Sequence, residues 1–131
     1  MVSDPLSDIL IQVKNAQASG KKRVIIPFSK FTFEIAKSLA KEGFIASVDK
    51  KLKKDRNYLF VELAYTDEGA PRVAGVKRLS KPSRRLYGKA QDLKAYASKR
   101  GRVFLSTPKG VATASDAMTK KTGGEILFHI W

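Results

Sequence analysis

The chain has 131 residues, no cysteine and a formal net charge of +14 at pH 7. The lack of cysteine excludes disulfides, thiolate metal sites and a cysteine nucleophile. No apolar run approaches the ~18 residues that a membrane-spanning helix requires, and the N-terminus has neither the basic nor the apolar region of a signal peptide. We therefore expect a soluble protein of the cytoplasm that makes no contact with a membrane.

The positive charge is concentrated in residues 72–109, which contain twelve basic residues and one acid, Asp92. Residues 1–71 contain twelve basic and nine acidic residues, and residues 110–131 contain two of each. Like charges repel one another when a chain becomes compact, so this local excess predicts a polyanionic partner, a nucleic acid. The alternative is a solvated lysine-rich surface, which is the usual explanation of a basic run.

Taken in chain order, the first half of the sequence predicts the pattern α-β-α-β-β. Asp4 is a favourable N-cap and Pro5 suits the first helical position, so a helix begins there and fades near Gly20. Residues 23–26 are expected to form a short strand that Pro27 ends.

The second predicted helix begins with Ser29 as its N-cap. Phe28 and Phe33 occupy the two positions of a hydrophobic staple, which fixes the direction in which the chain enters the helix. Gly43 stands where a helix commonly ends in a left-handed residue.

Two strand-like runs, residues 44–48 and 58–65, follow this helix, and the basic segment 50–57 is predicted to be the hairpin loop between them. Residues 66–71 are polar and contain turn-forming residues, so they mark the expected boundary between two halves of different charge. The first predicted domain is therefore an N-terminal α/β lobe over residues 1–66.

The second predicted domain covers residues 72–131 and is mainly β. The fold class is then α+β, with two small packed lobes. Its expected elements are strands at 73–79, 85–87, 102–106 and 125–131, a short helix at 90–99 and one helical turn at 115–121.

Catalysis has little support in the sequence. His129, the one histidine, lies between apolar residues of the last strand, where a structural role is the usual one. The phosphate-binding motifs GxxxxGK[ST] and GxGxxG do not occur, and Ser106 lacks the Gly-x-Ser-x-Gly context of a nucleophile. We expect no enzyme, cofactor or metal. Carboxylates distant in sequence can converge in a fold, so a basic enzyme acting on nucleic acid stays an alternative.

A binding function has more support in the sequence than catalysis, first of all in residues 106–110. Ser106 and Thr107 carry hydroxyls that can contact phosphate, a ribose hydroxyl or a base edge. Lys109 adds a cation, Pro108 stiffens the loop, and Gly110 permits close backbone approach. An ordinary turn between two strands is the alternative.

Two other places suit contact with RNA. Gly123 and Gly124 precede the last strand and permit close backbone approach, although paired glycines are common in plain turns. Tyr87 follows Arg84 and Arg85, and an aromatic ring among cations suits stacking on an unpaired base. A position in the core is the alternative for this tyrosine.

Segments along the whole chain follow the pattern of one known family, in order and at natural spacing. The matching segments are DPLSDIL (4–10), PFSK (27–30), EGFI (42–45), GVKRLSKP (75–82), STPKGV (106–111) and GGEIL (123–127), with Trp131 at the close. The family's own segments read DPIADML, PASK, EEGYI, GLKRISKPG, STxxG and GGE. In these segments the chain resembles the small-subunit ribosomal protein S-eight family in its bacterial form.

The resemblance implies an RNA-binding structural constituent of the small ribosomal subunit, located in cytoplasmic ribosomes. It implies binding to an irregular helix in the central domain of small-subunit ribosomal RNA, and a part in assembling the platform beside neighbouring small-subunit ribosomal proteins. In several bacteria, members also repress their own operon by binding its messenger RNA. By motif matching, the implied RNA contacts are Ser106, Thr107, Lys109, Gly110, Gly123, Gly124, Glu125 and Tyr87, with Asp4, Ser29 and Lys30 as a second strip.

Three departures from the family pattern fall in the second half. Residues 83–85, Ser-Arg-Arg, replace the usual Gly-Leu-Arg, and residues 94–102 are far more polar than is typical. After Gly110, the sequence VATASDAM stands where an acid and an arginine are usual. A free-standing RNA-binding regulator with the same surface is the nearest alternative to a ribosomal protein.

Overall fold

A computed structural model describes residues 5–131, and the chain divides into two units between Ala74 and Gly75. The described residues form four α-helices and eight strands in two sheets, so the predicted α+β class is confirmed. Asp4, the predicted cap of the first helix, lies outside the described residues. Within residues 5–131, no helix is long and apolar enough to cross a membrane.

The first unit has the predicted order α-β-α-β-β. Its elements are α1 (Pro5–Ala18), β1 (Arg23–Pro27), α2 (Lys30–Lys41), β2 (Ile45–Lys53) and β3 (Arg56–Leu63). The sheet is antiparallel, with strand order β1-β3-β2, and β3 therefore lies in the middle. Helix α1 has one buried apolar face, which includes Leu6, Ile9, Leu10 and Val13.

Both ends of α2 are specified by local sequence. Ser29 is the N-cap: its hydroxyl accepts a hydrogen bond from the Thr32 N–H, and the Thr32 hydroxyl accepts one from the Ser29 N–H. The rings of Phe28 and Phe33 meet edge-on at 5.9 Å between centroids, as the predicted staple requires. At the other end Gly43 has a φ of +85°, which is the left-handed conformation expected after a helix.

The hairpin between β2 and β3 is tighter than the sequence suggested. The predicted loop over residues 50–57 is wrong, because both strands continue until only Lys54 and Asp55 remain between them. These two residues have φ values of 50° and 65°, as a two-residue type I′ turn requires. The strand ends carry exposed polar residues on both faces, so they show no alternation that would predict a strand.

The second unit is built on a five-stranded antiparallel sheet. The elements are β4 (Val76–Arg78), β5 (Tyr87–Gly88), α3 (Lys94–Ala97), β6 (Arg102–Thr107), β7 (Gly110–Thr113), α4 (Ala114–Thr119) and β8 (Gly124–Ile130). Four strands follow the order β4-β8-β6-β7. Strand β5 also pairs with β8, but at the start of β8, whereas β4 pairs with its end. Strand β7 was not predicted, and the helix predicted over 90–99 is a 3-10 turn at Ala90–Asp92 followed by α3.

One face of this sheet is covered by a small apolar core. The core forms where the short helices bring their apolar residues onto the strands, and Leu93 is fully buried within it. Phe104 and Phe128 of the same strands are also buried, whereas Ser106 and Glu125 are partly exposed. The core residues are Leu93, Val103, Leu105, Ala114, Ala117 and Ile126.

Candidate RNA-binding surface

Strand register gathers three distant sequence segments into one row across the second sheet. Tyr87 of β5 pairs with Glu125 of β8, which also pairs with Ser106 of β6, and Ser106 pairs in turn with Val111 of β7. Side chains of paired residues project from the same face of a sheet. Three of the predicted RNA contacts therefore share one face, opposite the core residue Leu105 that precedes Ser106.

The glycines of the GGE segment are needed for the strands to approach one another. A Cβ on Gly124 would lie 2.1 Å from the carbonyl oxygen of Ser106, and a Cβ on Gly123 would lie 2.4 Å from that of Gly88. Such distances are too short for any side chain. The two glycines thus set the position of β8 between β6 and β5, which determines the spacing of the row.

The turn between β6 and β7 is closed by Thr107. Its buried hydroxyl donates to the carbonyl oxygen of Gly110 over 2.7 Å and accepts from the N–H of Lys109 over 3.2 Å. This leaves Pro108 and Lys109 exposed at the tip of the turn. Gly110 has a φ of +114°, with no atom within 4 Å of the place where a Cβ would stand. Thr107 therefore shapes the turn, and the open side of Gly110 faces solvent.

Ser80 is a buried polar centre that the sequence analysis missed. Its hydroxyl donates to a carboxylate oxygen of Glu125 and accepts from the N–H of Leu86 over 3.1 Å. Its carbonyl oxygen accepts hydrogen bonds from the guanidinium of Arg78. These contacts hold residues 80–86 against β8, and Ser80 lies 45 positions before Glu125, so no local pattern indicates the pairing.

Glu125 holds an arginine at the edge of the row. The guanidinium of Arg85 lies 3.0 Å from the carboxylate oxygen that also accepts from Ser80. The Glu125 side chain is 17% exposed, whereas that of Arg85 is 53% exposed. An acid beside RNA phosphates would repel them, so the role that fits Glu125 is to position Arg85 and Ser80.

Tyr87 is an exposed aromatic residue on a short strand. It is 69% exposed, so its alternative assignment to the core is wrong. The neighbouring Arg84 and Arg85 are also exposed. An aromatic ring that is accessible among cations has the chemistry needed to stack on an unpaired base.

The basic residues of segment 72–109 lie on the surface. Eleven of the twelve are exposed and Arg78 is half-buried. The charge excess therefore reaches solvent, where it can attract phosphate groups through long-range electrostatics. The exposed residues are Arg72, Lys77, Lys81, Arg84, Arg85, Lys89, Lys94, Lys99, Arg100, Arg102 and Lys109.

The second predicted strip belongs to the first unit. Ser29 is half-buried and its hydroxyl is engaged in capping α2, while Lys30 is exposed at the first position of that helix. Ser29 also lines a groove of about 280 Å³ that extends along α1 past Asp8 and Gln12. The third member of the strip, Asp4, falls among the residues not described.

His129 contacts residues of its own unit. One ring nitrogen lies 2.5 Å from the carbonyl oxygen of Arg100, and the ring packs on Trp131 with centroids 4.8 Å apart. Within residues 5–131, no three histidine or acidic side chains come together in a way that could hold a metal ion.

Comparison with known sequences gives the family. The family model described as Ribosomal protein S8 matches residues 4–131. The chain belongs to the ribosomal protein S8 family. It is 37% identical to the small ribosomal subunit protein uS8 of Persephonella marina, with all of both chains covered. It is 36% identical to uS8 of Roseiflexus castenholzii, over 99% of this chain and 98% of the relative, and 35% identical to uS8 of Bacillus cytotoxicus, over 100% and 99%.

S8 membership establishes the general role of the chain. It is a structural constituent of the small ribosomal subunit, and the alternative of an enzyme acting on nucleic acid is wrong for this family. Its partners are small-subunit ribosomal RNA and ribosomal proteins, and its place is the ribosome in the cytoplasm.

Proposed function

We propose that the chain is a primary RNA-binding protein that grips an irregular helix in the central domain of small-subunit ribosomal RNA. Through this contact it helps to assemble the platform of the subunit. The observation that carries the proposal is the row of Tyr87, Glu125 and Ser106, which strand pairing assembles from three segments in the second half of the chain.

The chemistry of the row suits structured RNA. A-form RNA has a deep, narrow major groove, so proteins recognise its shape, phosphates, ribose hydroxyls and unpaired bases. The Ser106 hydroxyl and the exposed Lys109 supply a polar group and a cation at the end of β6, and Tyr87 supplies a ring two strands away. Gly110 offers open backbone at the same turn.

The remaining residues of this surface act by positioning those contacts. Thr107 closes the turn, Gly123 and Gly124 set the strand spacing, and Glu125 holds Arg85 in place. We further propose that Ser29 and Lys30 form a second contact strip with Asp4. An exposed lysine beside a helix N-terminus supports that proposal, since both favour phosphate.

Binding to the chain's own messenger RNA is a second candidate function. A surface that recognises shape and backbone rather than a run of base edges will also bind another RNA that folds into the same shape. A messenger segment that mimics the ribosomal helix would therefore compete for the same row, and the protein would repress its own operon.

Competition binding tests the main proposal. Labelled irregular central-domain helix is bound at physiological salt and displaced either by itself or by a regular duplex of equal length. We expect strong preference for the irregular helix, because a regular duplex lacks the unpaired bases and altered backbone that the row contacts. Equal displacement by both RNAs would leave only non-specific electrostatic binding and would refute the assignment.

Co-sedimentation addresses the alternative of a free-standing regulator. A ribosomal constituent should travel with small subunits at moderate salt, because its specific contacts survive partial screening of charge. A protein found only in the unbound fraction would contradict a place in the assembled subunit.

A further inference from the structure

A second cavity lies at one end of the sheet of the first unit. It has a volume of about 360 Å³ and is lined by Pro27, Phe28, Arg56, Asn57 and Tyr58. Three features of the chain create it. Pro27 pairs with Tyr58 at the end of β1, the Phe28 N–H donates to the Asn57 carbonyl oxygen over 3.2 Å, and the tight turn before Arg56 returns that arginine to the same place.

Two aromatic residues line this cavity from opposite faces of the sheet, because Tyr58 projects away from its buried neighbour Leu59 whereas Phe28 packs against α2. Phe28 is half-buried against the edge of Phe33, at 5.9 Å between ring centroids. Tyr58 is half-buried on the central strand, and Phe60 lies two residues further on the same face. Aromatic side chains of this kind are the platforms on which unpaired bases stack, whatever the sequence.

Lysine side chains of β2 lie over two aromatic rings, those of Phe28 and Phe60. The ammonium of Lys50 lies 4.3 Å from the centroid of Phe28, and that of Lys51 lies 5.1 Å from the centroid of Phe60. Residues 50–56 contain five basic side chains and one acid, Asp55, and all of them are exposed. The charge therefore matches a phosphate-bearing ligand. Lysines on an edge strand also prevent pairing with other sheets, so the rings provide the more specific evidence.

We propose that this cavity binds one unpaired nucleotide of RNA. The base stacks against the ring of Tyr58, the exposed Asn57 side chain offers one acceptor and two donors to a base edge, and the exposed Arg56 supplies a cation for the phosphate. This site lies in the first unit and shares no residue with the row of the second unit. It shares Pro27 and Phe28 with the groove that Ser29 lines.

Binding of short RNA tests the site without any folded helix. The full chain is titrated with fluorescent hexamers of uridine and of adenosine, which are too short to form a duplex with themselves. Tyr58→Leu should weaken binding about tenfold, because one stacked base is lost, whereas Tyr58→Phe should bind within about twofold of the parent. Arg56→Gln should lower the salt slope by about one, since one phosphate contact is removed.

Leu52→Ala is the matched control, because it removes a side chain that is 68% exposed on the same hairpin and does not line the cavity. It should leave hexamer binding nearly unchanged, whereas Tyr58→Leu should weaken it. If Tyr58→Leu binds hexamers as well as the parent, or if Leu52→Ala weakens their binding to the same extent, the cavity is not a nucleotide site. The preference for the irregular helix over a regular duplex is measured in a separate experiment. A lack of that preference would refute the proposed ribosomal RNA binding but would leave the nucleotide site in the cavity to be decided by the hexamer titration.

Photocrosslinking of the unmodified chain gives a readout that needs no variant to fold. A hexamer containing 4-thiouridine is irradiated with the protein, and the attached residue is located by mass spectrometry. We expect attachment at residues 27–28 or 56–58. Attachment confined to the second unit would overturn the proposal.

Discussion

The single hydroxyl of Ser80 joins two parts of the second unit that are far apart in sequence. It donates to Glu125 and accepts from the N–H of Leu86, so both its proton and its lone pairs are used. The side chain is fully buried, so removal of the hydroxyl takes a hydrogen-bond partner from Glu125 and from the Leu86 N–H. A small polar residue therefore fixes the loop that presents Arg85 and Tyr87.

We predict that Ser80→Ala destabilises the protein by about 1–3 kcal/mol, because the Leu86 N–H and a Glu125 carboxylate oxygen both lose the Ser80 hydroxyl as a partner. Affinity for the irregular helix should fall as well, since Arg85 and Tyr87 lose their anchored positions. Urea unfolding and RNA titration measure the two effects. Ser83→Ala, an exposed change in the same loop, is the control and should alter stability by less than about 0.5 kcal/mol. Equal effects of the two variants would show that Ser80 does not organise the loop.

Residue types alone indicated the candidate site but not the structural role of each of its members. Ser106, Thr107 and Gly110 were singled out because hydroxyls and glycine suit RNA contact, and the first and last remain accessible for it. Thr107 instead uses its hydroxyl within the turn. Gly124 is required by the 2.1 Å approach to a strand eighteen positions earlier, which only strand register reveals.

Helix α2 shows how far local signals can specify an element. Its N-cap, its hydrophobic staple and its terminal glycine could all be predicted from the sequence, because each depends on residues within a few positions. Strand β7 was missed because it is four residues long and lies between a turn and the N-cap of α4, so alternation has no room to appear. Length alone does not explain the miss, since the shorter strands β4 and β5 overlap predicted strands.

The N-cap of α2 allows folding and RNA contact to be separated at one position. Ser29→Ala should destabilise the protein by about 1 kcal/mol, because the Thr32 N–H loses its acceptor. Ser29→Asp should keep stability, since aspartate caps a helix as well as serine does, yet weaken RNA binding by placing a negative charge in the proposed strip. Thermal unfolding and RNA titration distinguish the two variants, with the exposed Ser19→Ala as control. Unchanged RNA affinity in Ser29→Asp would remove Ser29 from the contact strip.

At the scale of the whole molecule, we propose that charge attracts RNA in general and that different residues select among RNAs. The net charge of +14 comes mainly from exposed lysine and arginine in residues 72–109, and such side chains attract any polyanion. The row at Ser106 and Tyr87 is small, and its geometry depends on glycine spacing and buried hydrogen bonds. Composition alone could therefore predict a nucleic-acid partner, while the choice among RNAs depends on the folded sheet.

This division predicts two distinct kinds of mutant. Lys99→Ala and Arg100→Ala should each weaken binding of the irregular helix and of a regular duplex by similar factors. Each should also lower the slope of log affinity against log salt by about one, because one fewer phosphate is neutralised and fewer counterions are released. Ser106→Ala should instead lose about 1–3 kcal/mol for the irregular helix only and keep the parent slope. Titrations of both RNAs over a series of salt concentrations give affinity and slope together.

Lys14→Ala, an exposed change on α1 outside the basic segment, is the control for those slopes and should leave them unchanged. The deciding quantity is the ratio of the affinity for the irregular helix to the affinity for the regular duplex. If Ser106→Ala weakens both RNAs equally, the hydroxyl contributes nothing to recognition. Specificity would then have to come from the shape of the positive surface itself, and mutants of Lys99 and Arg100 would change the ratio in place of Ser106.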